Sequence, residues 1–293
     1  MSVFAVSVFV ESIGFGVVTA AVLALAAVGF TMQFAVSGVL NLAYGGVMVV
    51  SAYAAYEVNQ QGVEVWISAL AGIAAGALLS LILNGVIYTP FQRRGTSPIG
   101  MVIVSLGMTL ILVFGTQAAA GPTNVSYTMS QGATVTAGSI VLTVVQFVII
   151  ALSLAVMVGV HVLIRYTRLG KAMRATAANR NLARNCGIRT ARVVALTWAI
   201  TGALCGLAGV VFAMDSGTFG ATSTDLFLVL ILAAVFLGGP GEPYGAMLGA
   251  LVIGLATEIS ASIIVSDYKD VIAFVILLAM LATRPTGLLG ARA

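Results

Sequence analysis

The sequence predicts an all-α protein, a polytopic bundle of about eight or nine transmembrane helices with one or two broken or re-entrant segments. Of its 293 residues 60% are hydrophobic and 8% are charged, and the mean hydropathy is +1.13. Soluble proteins carry about 25% charged residues. Nine apolar runs follow one another with short connections, and a spanning helix needs about 20 apolar residues. We therefore expect residues 1–293 to form a single transmembrane domain.

The apolar runs fill nearly the whole chain. They lie near residues 12–31, 34–56, 65–89, 99–119, 140–164, 193–214, 225–238, 244–265 and 269–283. The first positive charge is Arg93, so the N-terminus lacks the basic start of a signal peptide and is expected to be retained as the first span. Either of the first two runs, or the short run 225–238, could be broken or re-entrant.

Positive charge predicts the orientation of the spans. Residues 165–192, which we term the basic loop, hold eight of the 13 Lys and Arg residues and no Asp or Glu. Lys and Arg mark cytoplasmic loops, so this loop, Arg93–Arg94 and the C-terminus with Arg284 and Arg292 are expected to be cytoplasmic. The stretches 57–64 and 120–139 are then outside. Because the basic residues flank spans, membrane lipid is the expected environment and nucleic-acid binding is excluded.

Small residues recur at four-residue spacing on three of the runs. The pairs are Gly72 and Gly76, Gly202 and Gly206, and Gly245 and Gly249. Such positions let helix backbones approach closely in lipid. We predict that all three pairs serve helix packing.

Residues 34–56, FAVSGVLNLAYGGVMVVSAYAAY, place polar side chains and glycines where an uninterrupted span would be apolar. Freed backbone groups at membrane depth are tolerated only when buried in protein or lining a wet cavity, and transporters bind substrate at such breaks. We therefore predict a break that lines a solute pathway, with polar packing between helices as an equal alternative. The candidate pathway residues here are Ser37, Asn41, Tyr44, Gly45 and Gly46.

Two further features of the sequence are candidates for the same solute pathway. Residues 237–249, LGGPGEPYGAMLG, form a second Gly/Pro break between two apolar runs. Glu258 is an ionisable residue within an apolar run, which makes it a functional candidate by default. A pathway position and a position at the membrane interface remain equally open for Glu258.

The basic loop has the composition of a short helix. Residues 171–186 contain neither Gly nor Pro, and Gly187 is placed to end a helix. Ala175, Ala178, Leu182 and Cys186 would form an apolar stripe beside a basic face that includes Arg180 and Arg184. The loop could dock onto a partner, or its charge could serve orientation alone.

Four stretches together resemble the LivH-type permeases of branched-chain amino acid ABC importers, the LivH/LivM family. They are GKAMRATAANRNLARNCGIRTARVVALTWAITGALCGLAGV, SGVLNLAYGGVMVVSAYAAY, LGGPGEPYGAMLGALVIGLATE and RPTGLLG. The resemblance implies a single permease domain in the bacterial inner membrane that works by alternating access. It implies three kinds of partner: a second, LivM-like permease subunit, two cytoplasmic ATPases and an extracytoplasmic substrate-binding protein.

The resemblance also implies that residues 171–188 are the coupling helix that docks on an ATPase. The coupling residues would be Arg174, Asn179, Arg180, Arg184, Gly187 and Ile188. These 293 residues contain no G-x-x-x-x-G-K-[ST] motif, so ATP and Mg are expected on the partner subunits and no cofactor or metal on this chain.

The chain departs from the family pattern in two places. It reads Leu42-Ala43-Tyr44-Gly45-Gly46 where relatives tend to have a His and a carboxylate, and Asn179 stands where an acidic residue is common. Relatives carry branched-chain amino acids, other amino acids, urea or short amides, so the solute stays open. A stand-alone secondary transporter or channel is the alternative from another class, and a membrane scaffold would not explain the two Gly-rich breaks.

Overall fold

The fold is given by a computed structural model, which describes residues 2–129, 134–137, 140–263, 269–283 and 287–289. Helices dominate the described residues, and a π-helical segment, Leu83–Tyr88, joins the third helix to the fourth. The helices are α1 Ser2–Ser37, α2 Tyr44–Gln60, α3 Val65–Ile82, α4 Thr89–Arg93, α5 Pro98–Ala120, α6 Val144–Tyr166, α7 Arg168–Ala178, α8 Arg180–Asn185, α9 Thr190–Ser216, α10 Thr224–Gly238, α11 Pro243–Ile263 and α12 Lys269–Thr283.

Among the described residues, six helical segments are long and apolar enough to cross a bilayer. They are Glu11–Ser37, Val65–Arg93, Pro98–Ala120, Val144–Tyr166, Thr190–Ser216 and Pro243–Ser262. Two shorter apolar helices, Thr224–Gly238 and Val271–Met280, accompany them. The predicted transmembrane helix bundle is confirmed. The boundary expected between residues 31 and 34 is wrong, because Gln33 is buried within α1 and the helix continues to Ser37.

A small β-hairpin precedes α6, and its second strand occupies the start of the apolar run that was predicted as a span over residues 140–164. Strand β1, Thr134–Ala137, pairs antiparallel with β2, Ile140–Thr143. The helix begins only at Val144, because Thr143 and Gln146 form a capping box. The Thr143 Oγ1 accepts from the Gln146 N–H at 3.3 Å, and the Gln146 Oε1 accepts from the Thr143 N–H at 3.0 Å.

The chain divides into two compact units, and each is described by itself. The first unit comprises Met1–Val28, Met129–Ala155 and Val229–Ala293, and the second comprises Gly29–Thr128 and Val156–Leu228. The single permease domain stays a prediction.

In the second unit, two of the predicted small-residue pairs face each other where α3 crosses α9. A Cβ added at Gly76 would lie 2.9 Å from the Gly206 Cα and would also meet the Gly202 carbonyl oxygen. A Cβ added at Gly206 would meet the Gly72 carbonyl oxygen. The two backbones therefore touch directly, which is the close approach that four-residue spacing of glycines permits.

In the first unit, the third pair packs α11 against α10. A Cβ added at Gly249 would meet the Ala234 carbonyl oxygen, and one added at Gly245 would meet the backbone of Gly238. The C-terminal segment 287–289 lies at the same end of α10, where the Leu288 N–H donates to the Leu237 oxygen at 2.8 Å and the Leu289 N–H to the Gly238 oxygen at 3.0 Å. These bonds satisfy carbonyls that the end of α10 would otherwise leave without partners.

Candidate translocation site and basic loop

The predicted break within residues 34–56 lies between α1 and α2. The Ser37 hydroxyl donates to the Gln33 carbonyl at 2.6 Å and closes the last turn of α1. Gly38 follows with a φ of 67°, which a residue with a Cβ rarely adopts. The Gln92 Nε2 donates to the Ser37 carbonyl at 3.1 Å and thereby ties the break to the end of α4.

Asn41 lies in the middle of this break and is buried, with 2% of its surface exposed. Its Oδ1 accepts a hydrogen bond from the Tyr88 hydroxyl at 2.6 Å. Tyr88 belongs to the π-helical segment and packs on Trp198 of α9, with ring centroids 4.9 Å apart. Tyr88, itself packed on α9, therefore holds the Asn41 amide in one orientation. Within the described part of the chain, the Asn41 Nδ2 and the Trp198 Nε1 have no hydrogen-bond partner.

The first turn of α2 lies beside the middle of α9. The Cys205 thiol donates to the Tyr44 carbonyl oxygen at 3.3 Å, and Cys205 is close to the midpoint of the 27-residue α9. A 27-residue helix is about 40 Å long, so this point is about 20 Å from either end. Tyr44, Gly45 and Gly46 are all buried. Helix α2 therefore starts beside the midpoint of a helix that is long enough to cross a bilayer.

The N-terminus of α10 reaches the same place. The Thr224 hydroxyl donates to the Gly45 carbonyl oxygen at 3.0 Å, and both residues are buried. Asp225 follows Thr224 in the first turn of α10 and is exposed. Two short helices of 17 and 15 residues thus begin next to each other, in the manner of the broken helices that transporters use at their substrate sites.

An aromatic cluster positions the segment that leads into α10. Phe219 and Val125 form an isolated antiparallel bridge with two hydrogen bonds of 2.9 Å. The Tyr127 hydroxyl donates to the Ala52 carbonyl at 2.9 Å, and burial raises the pKa of Tyr127, so this donor stays protonated. Tyr53 packs edge-on against Phe219 at 5.2 Å. The connection between α9 and α10 is therefore fixed against α2 before it enters α10.

Glu258 belongs to the first unit and is half-buried. The Thr19 hydroxyl of α1 donates to its Oε1 at 3.2 Å. The helices touch closely there, since a Cβ added at Gly254 would lie 2.6 Å from the Ala20 Cα. The carboxylate thus joins α1 to α11 at a tight crossing, and its role in the pathway stays a prediction.

The basic loop forms two helices instead of the single helix expected over residues 171–186. α7 ends at Ala178, and Asn179 adopts an extended conformation with φ −157°. Its side-chain oxygen accepts from the Leu182 N–H at 2.9 Å and caps α8. Asn competes with the helix by this bond, which is why it favours N-cap positions over helix interiors.

Gly187 ends α8 as predicted, with a φ of 83°. The Gly187 N–H donates to the Arg184 carbonyl at 3.1 Å and the Ile188 N–H to the Ala183 carbonyl at 3.0 Å. This pair of bonds is a Schellman motif. Gly187 and Ile188 therefore set the direction in which the chain leaves the loop toward α9.

The basic residues of this loop are exposed, whereas the predicted apolar stripe is wrong. Leu182 is 60% exposed, and Ala178 and Cys186 are exposed as well. The break at Asn179 changes the phase of the second helix, so residues on either side no longer share one face. The buried residues are Gly170, Met173, Thr176 and Ala183. The exposed candidate coupling residues are Arg174, Asn179, Arg180, Arg184 and Gly187, and Ile188 is half-buried.

Comparison with known proteins decides the family. A model described as the branched-chain amino acid transport system permease component matches residues 12–281. The chain belongs to this family. The permease is 29% identical over 296 residues to LivH of Escherichia coli (strain K12), a high-affinity branched-chain amino acid transport system permease protein, with 96% of each chain covered. It is 31% identical over 290 residues to BraD of Pseudomonas aeruginosa, with 94% of each covered.

A solved structure has a similar fold. PsaBC from Streptococcus pneumoniae in complex with Fab matches 93% of the permease and 91% of its own chain, with a TM-score of 0.52 and 16% identity. At this identity the likeness concerns the fold alone. Among the described residues of the permease, no group of three or more His, Cys, Asp or Glu side chains is placed to hold a metal ion.

Several residues at the break of this permease were not found from the sequence. Tyr88 and Trp198 hold Asn41, Gln92 holds Ser37, and Thr224 bonds to Gly45. Gln92 and Thr224 carry a usable signal, since each is a polar residue at the end of an apolar run. Tyr88 and Trp198 lie within runs where an aromatic residue is expected to face lipid or core, so only the tertiary structure reveals them.

Proposed function

We propose that this permease is the pore-forming subunit of an ABC importer for branched-chain or other small amino acids. ATPases on other chains would drive it by alternating access. The proposal rests on the family and on the names of LivH and BraD, which are branched-chain amino acid permeases. An importer of this kind uses a second, LivM-like permease subunit, two cytoplasmic ATPases that bind ATP and Mg, and an extracytoplasmic binding protein.

The observation that carries the proposal is the basic loop. Two capped helices with exposed Arg174, Arg180 and Arg184 join two long apolar helices. Charge for orientation alone would need no N-cap at Asn179 and no Schellman turn at Gly187. A fixed, basic and exposed surface instead suits docking on an acidic groove of an ATPase.

A cytoplasmic location of the basic loop would fix the orientation of the permease in the membrane. The permease would lie in the bacterial inner membrane with its C-terminus in the cytoplasm. Arg284 and Arg292, on which the sequence argument for the C-terminus depends, lie outside the described residues.

The solute pathway of the proposal runs past the break between α1 and α2. Ser37, Asn41, Tyr44, Gly45 and Gly46 would line or shape it, because a buried helix break with spare donors near mid-span suits a polar solute. Glu258 is the further candidate on α11.

Charge reversal tests the coupling role. Arg180→Glu with Arg184→Glu should abolish ATPase copurification and reduce uptake at least about tenfold, because like charges would then meet across a docking surface. Membrane insertion should be unchanged. The matched control is Arg93→Glu with Arg94→Glu, which reverses two exposed charges outside the loop. If the loop variant keeps both its ATPase and its uptake, the coupling assignment is wrong.

Reconstitution tests the transport class. The complex of permease and ATPases with its binding protein should take up L-leucine into proteoliposomes only when ATP is supplied. Uptake of urea or acetamide in place of L-leucine would assign the solute to the other class that the family carries. ATP-independent uptake by the permease alone would overturn the proposal that it is a subunit of an ABC importer.

A further inference from the structure

We propose that the adjoining N-termini of α2 and α10 form a binding site for the zwitterionic head group of an α-amino acid. The carboxylate would bind at the start of α2 with Asn41, and the ammonium group would bind Asp225. This assignment rests on the proposed function that the solute is an amino acid, and it adds the atoms that recognise it.

The start of α2 offers unpaired N–H groups in a buried place. Its N-cap residue is Ala43, whose side chain holds no oxygen, and no side-chain cap is present. The Tyr44 N–H donates to the Asn41 carbonyl at 3.2 Å and the Val47 N–H to the Ala43 carbonyl at 2.9 Å. No hydrogen bond from the Gly45 or Gly46 N–H is found among the described residues. A helix N-terminus with free N–H groups attracts anions through these donors and the helix dipole.

Asn41 adds a second, independent indication of an anionic ligand. The bond from Tyr44 to its carbonyl folds Asn41 back on the first turn of α2. Because the Tyr88 hydroxyl occupies the Oδ1, the amide can offer only its NH₂ group, which is buried and has no partner among the described residues. A buried unpaired donor costs about 1–3 kcal/mol. A ligand that accepts hydrogen bonds would remove that cost.

Most buried side-chain atoms near this break that lack a partner among the described residues are nitrogens, joined by the Tyr44 hydroxyl, which can donate or accept. Trp198, which packs on Tyr88, has a fully buried N–H, and the Nε2 of Gln33 in α1 is buried as well; neither nitrogen has a partner in the described part of the chain. Each of these nitrogen atoms can only donate. A carboxylate, with two oxygens that only accept, answers this excess of donors better than an amine does.

Asp225 supplies the opposite charge in the first turn of α10. The bond between the Thr224 hydroxyl and the Gly45 carbonyl brings the first turn of α10 against the first turn of α2. Asp225 lies in this first turn of α10, directly after Thr224. Asp225 is exposed, so a cationic group can reach it. The adjoining first turns of α2 and α10 therefore carry hydrogen-bond donors on one side and a carboxylate on the other, which matches the two charged groups of an α-amino acid.

The site is tested by equilibrium binding of small ligands to the purified complex of permease and ATPases in nanodiscs. The binding protein is left out, so that its own selectivity does not affect the result. The probes are radiolabelled L-leucine, isocaproate, which lacks the ammonium group, and isoamylamine, which lacks the carboxylate. We expect saturable leucine binding, with each analogue bound at least about tenfold more weakly. Asn41→Asp keeps the oxygen that accepts from Tyr88 but replaces the donor with an acceptor.

The variants should separate the two charges. Asn41→Asp should weaken leucine binding at least about tenfold and leave isoamylamine binding unchanged or tighter. Asp225→Asn should weaken leucine at least about tenfold and leave isocaproate unchanged. The control is Glu57→Gln, an exposed carboxylate at the other end of α2, which should change neither.

The site assignment is overturned if wild-type complex shows no saturable leucine binding, or if Asp225→Asn binds all three probes as wild type does. Asp225 is exposed, so its variant is expected to fold and carries the test even if Asn41→Asp fails to assemble. ATP-driven leucine uptake by the complete importer reports on the proposed function separately. Uptake that persists with unchanged binding in both variants would refute this site and keep the proposed function.

Discussion

The crossing of α3 and α9 gives a sharp test of the packing argument, through Gly76→Ala. The added methyl would lie 2.9 Å from the Gly206 Cα and from the Ser51 Oγ, and it would also meet the Gly202 carbonyl oxygen. Ordinary contacts of a Cβ fall at 3.4–4 Å. The two helices would have to separate by about half an ångström, which forfeits about a quarter of the dispersion energy of each contact across the crossing.

The expected magnitude follows from two opposing effects. Overpacking of this kind costs about 1–3 kcal/mol. Alanine favours a helix over glycine by about 0.5–1 kcal/mol, which offsets part of that cost. The net loss is about 1–2 kcal/mol, and 1 kcal/mol shifts the Tm of a domain of this size by about 2–4 °C. We therefore expect Gly76→Ala to melt about 2–8 °C below wild type.

The control adds the same methyl where space is free. A Cβ at Gly115 of α5 would have no described atom within 4 Å, so Gly115→Ala should keep the helix-propensity gain and melt at or slightly above wild type. Both variants are purified in the same detergent and their apparent Tm is measured at one heating rate. A Gly76→Ala protein that melts at or above wild type would refute the reasoning from the glycine contacts.

Two further predictions concern other glycines. Gly45→Leu should stop uptake, because a Cβ at this position already touches Leu228 of α10 at 3.4 Å and the longer side chain would push the starts of α2 and α10 apart. Gly72→Leu should instead lower the yield of assembled complex, since its Cβ alone would lie 2.8 Å from the Ser51 carbonyl oxygen. Uptake per assembled complex separates these outcomes, and normal uptake by Gly45→Leu would return the break to a packing role. Gly187→Val should reduce ATPase copurification and ATP-driven uptake, because a β-branched residue strains the left-handed turn that closes α8. Unchanged copurification would show that the turn at Gly187 does not position the docking surface.

The sequence predicted those parts of the fold that depend on local pattern. The helix packing at Gly72, Gly76, Gly202 and Gly206 follows from four-residue spacing, and the structure places these residues in contact. The break between α1 and α2 follows from glycines and polar residues within an apolar run. In both cases the deciding residues lie within a few positions of one another.

The errors had local causes as well. The prediction of one helix over residues 171–186 merges α7 with α8 and misplaces the apolar stripe, because Asn179 prefers an N-cap position to a helix interior. The sequence Thr143-x-x-Gln146 is a capping box and predicts the start of α6, so the hairpin before it could have been separated from the helix.

The contribution of α10 to the candidate site could not be predicted from the local sequence pattern. Gly45 and Thr224 are 179 positions apart, and only the fold brings the starts of α2 and α10 together. Asp225 therefore looked like the boundary of a short apolar run. Its place beside the start of α2 depends on the connection that Phe219 and Val125 fix against α2.

One helix joins the proposed docking surface to the proposed pathway. The Schellman turn at Ile188 leads directly into α9, which begins at the buried Thr190. The same helix contacts the break at two heights, through Trp198 against the tyrosine that holds Asn41 and through the Cys205 thiol at the start of α2. All of these residues belong to the second unit. Close packing of α9 against glycines of α3 leaves little room for it to bend, so a displacement of the basic loop would reach the break as a movement of the whole helix.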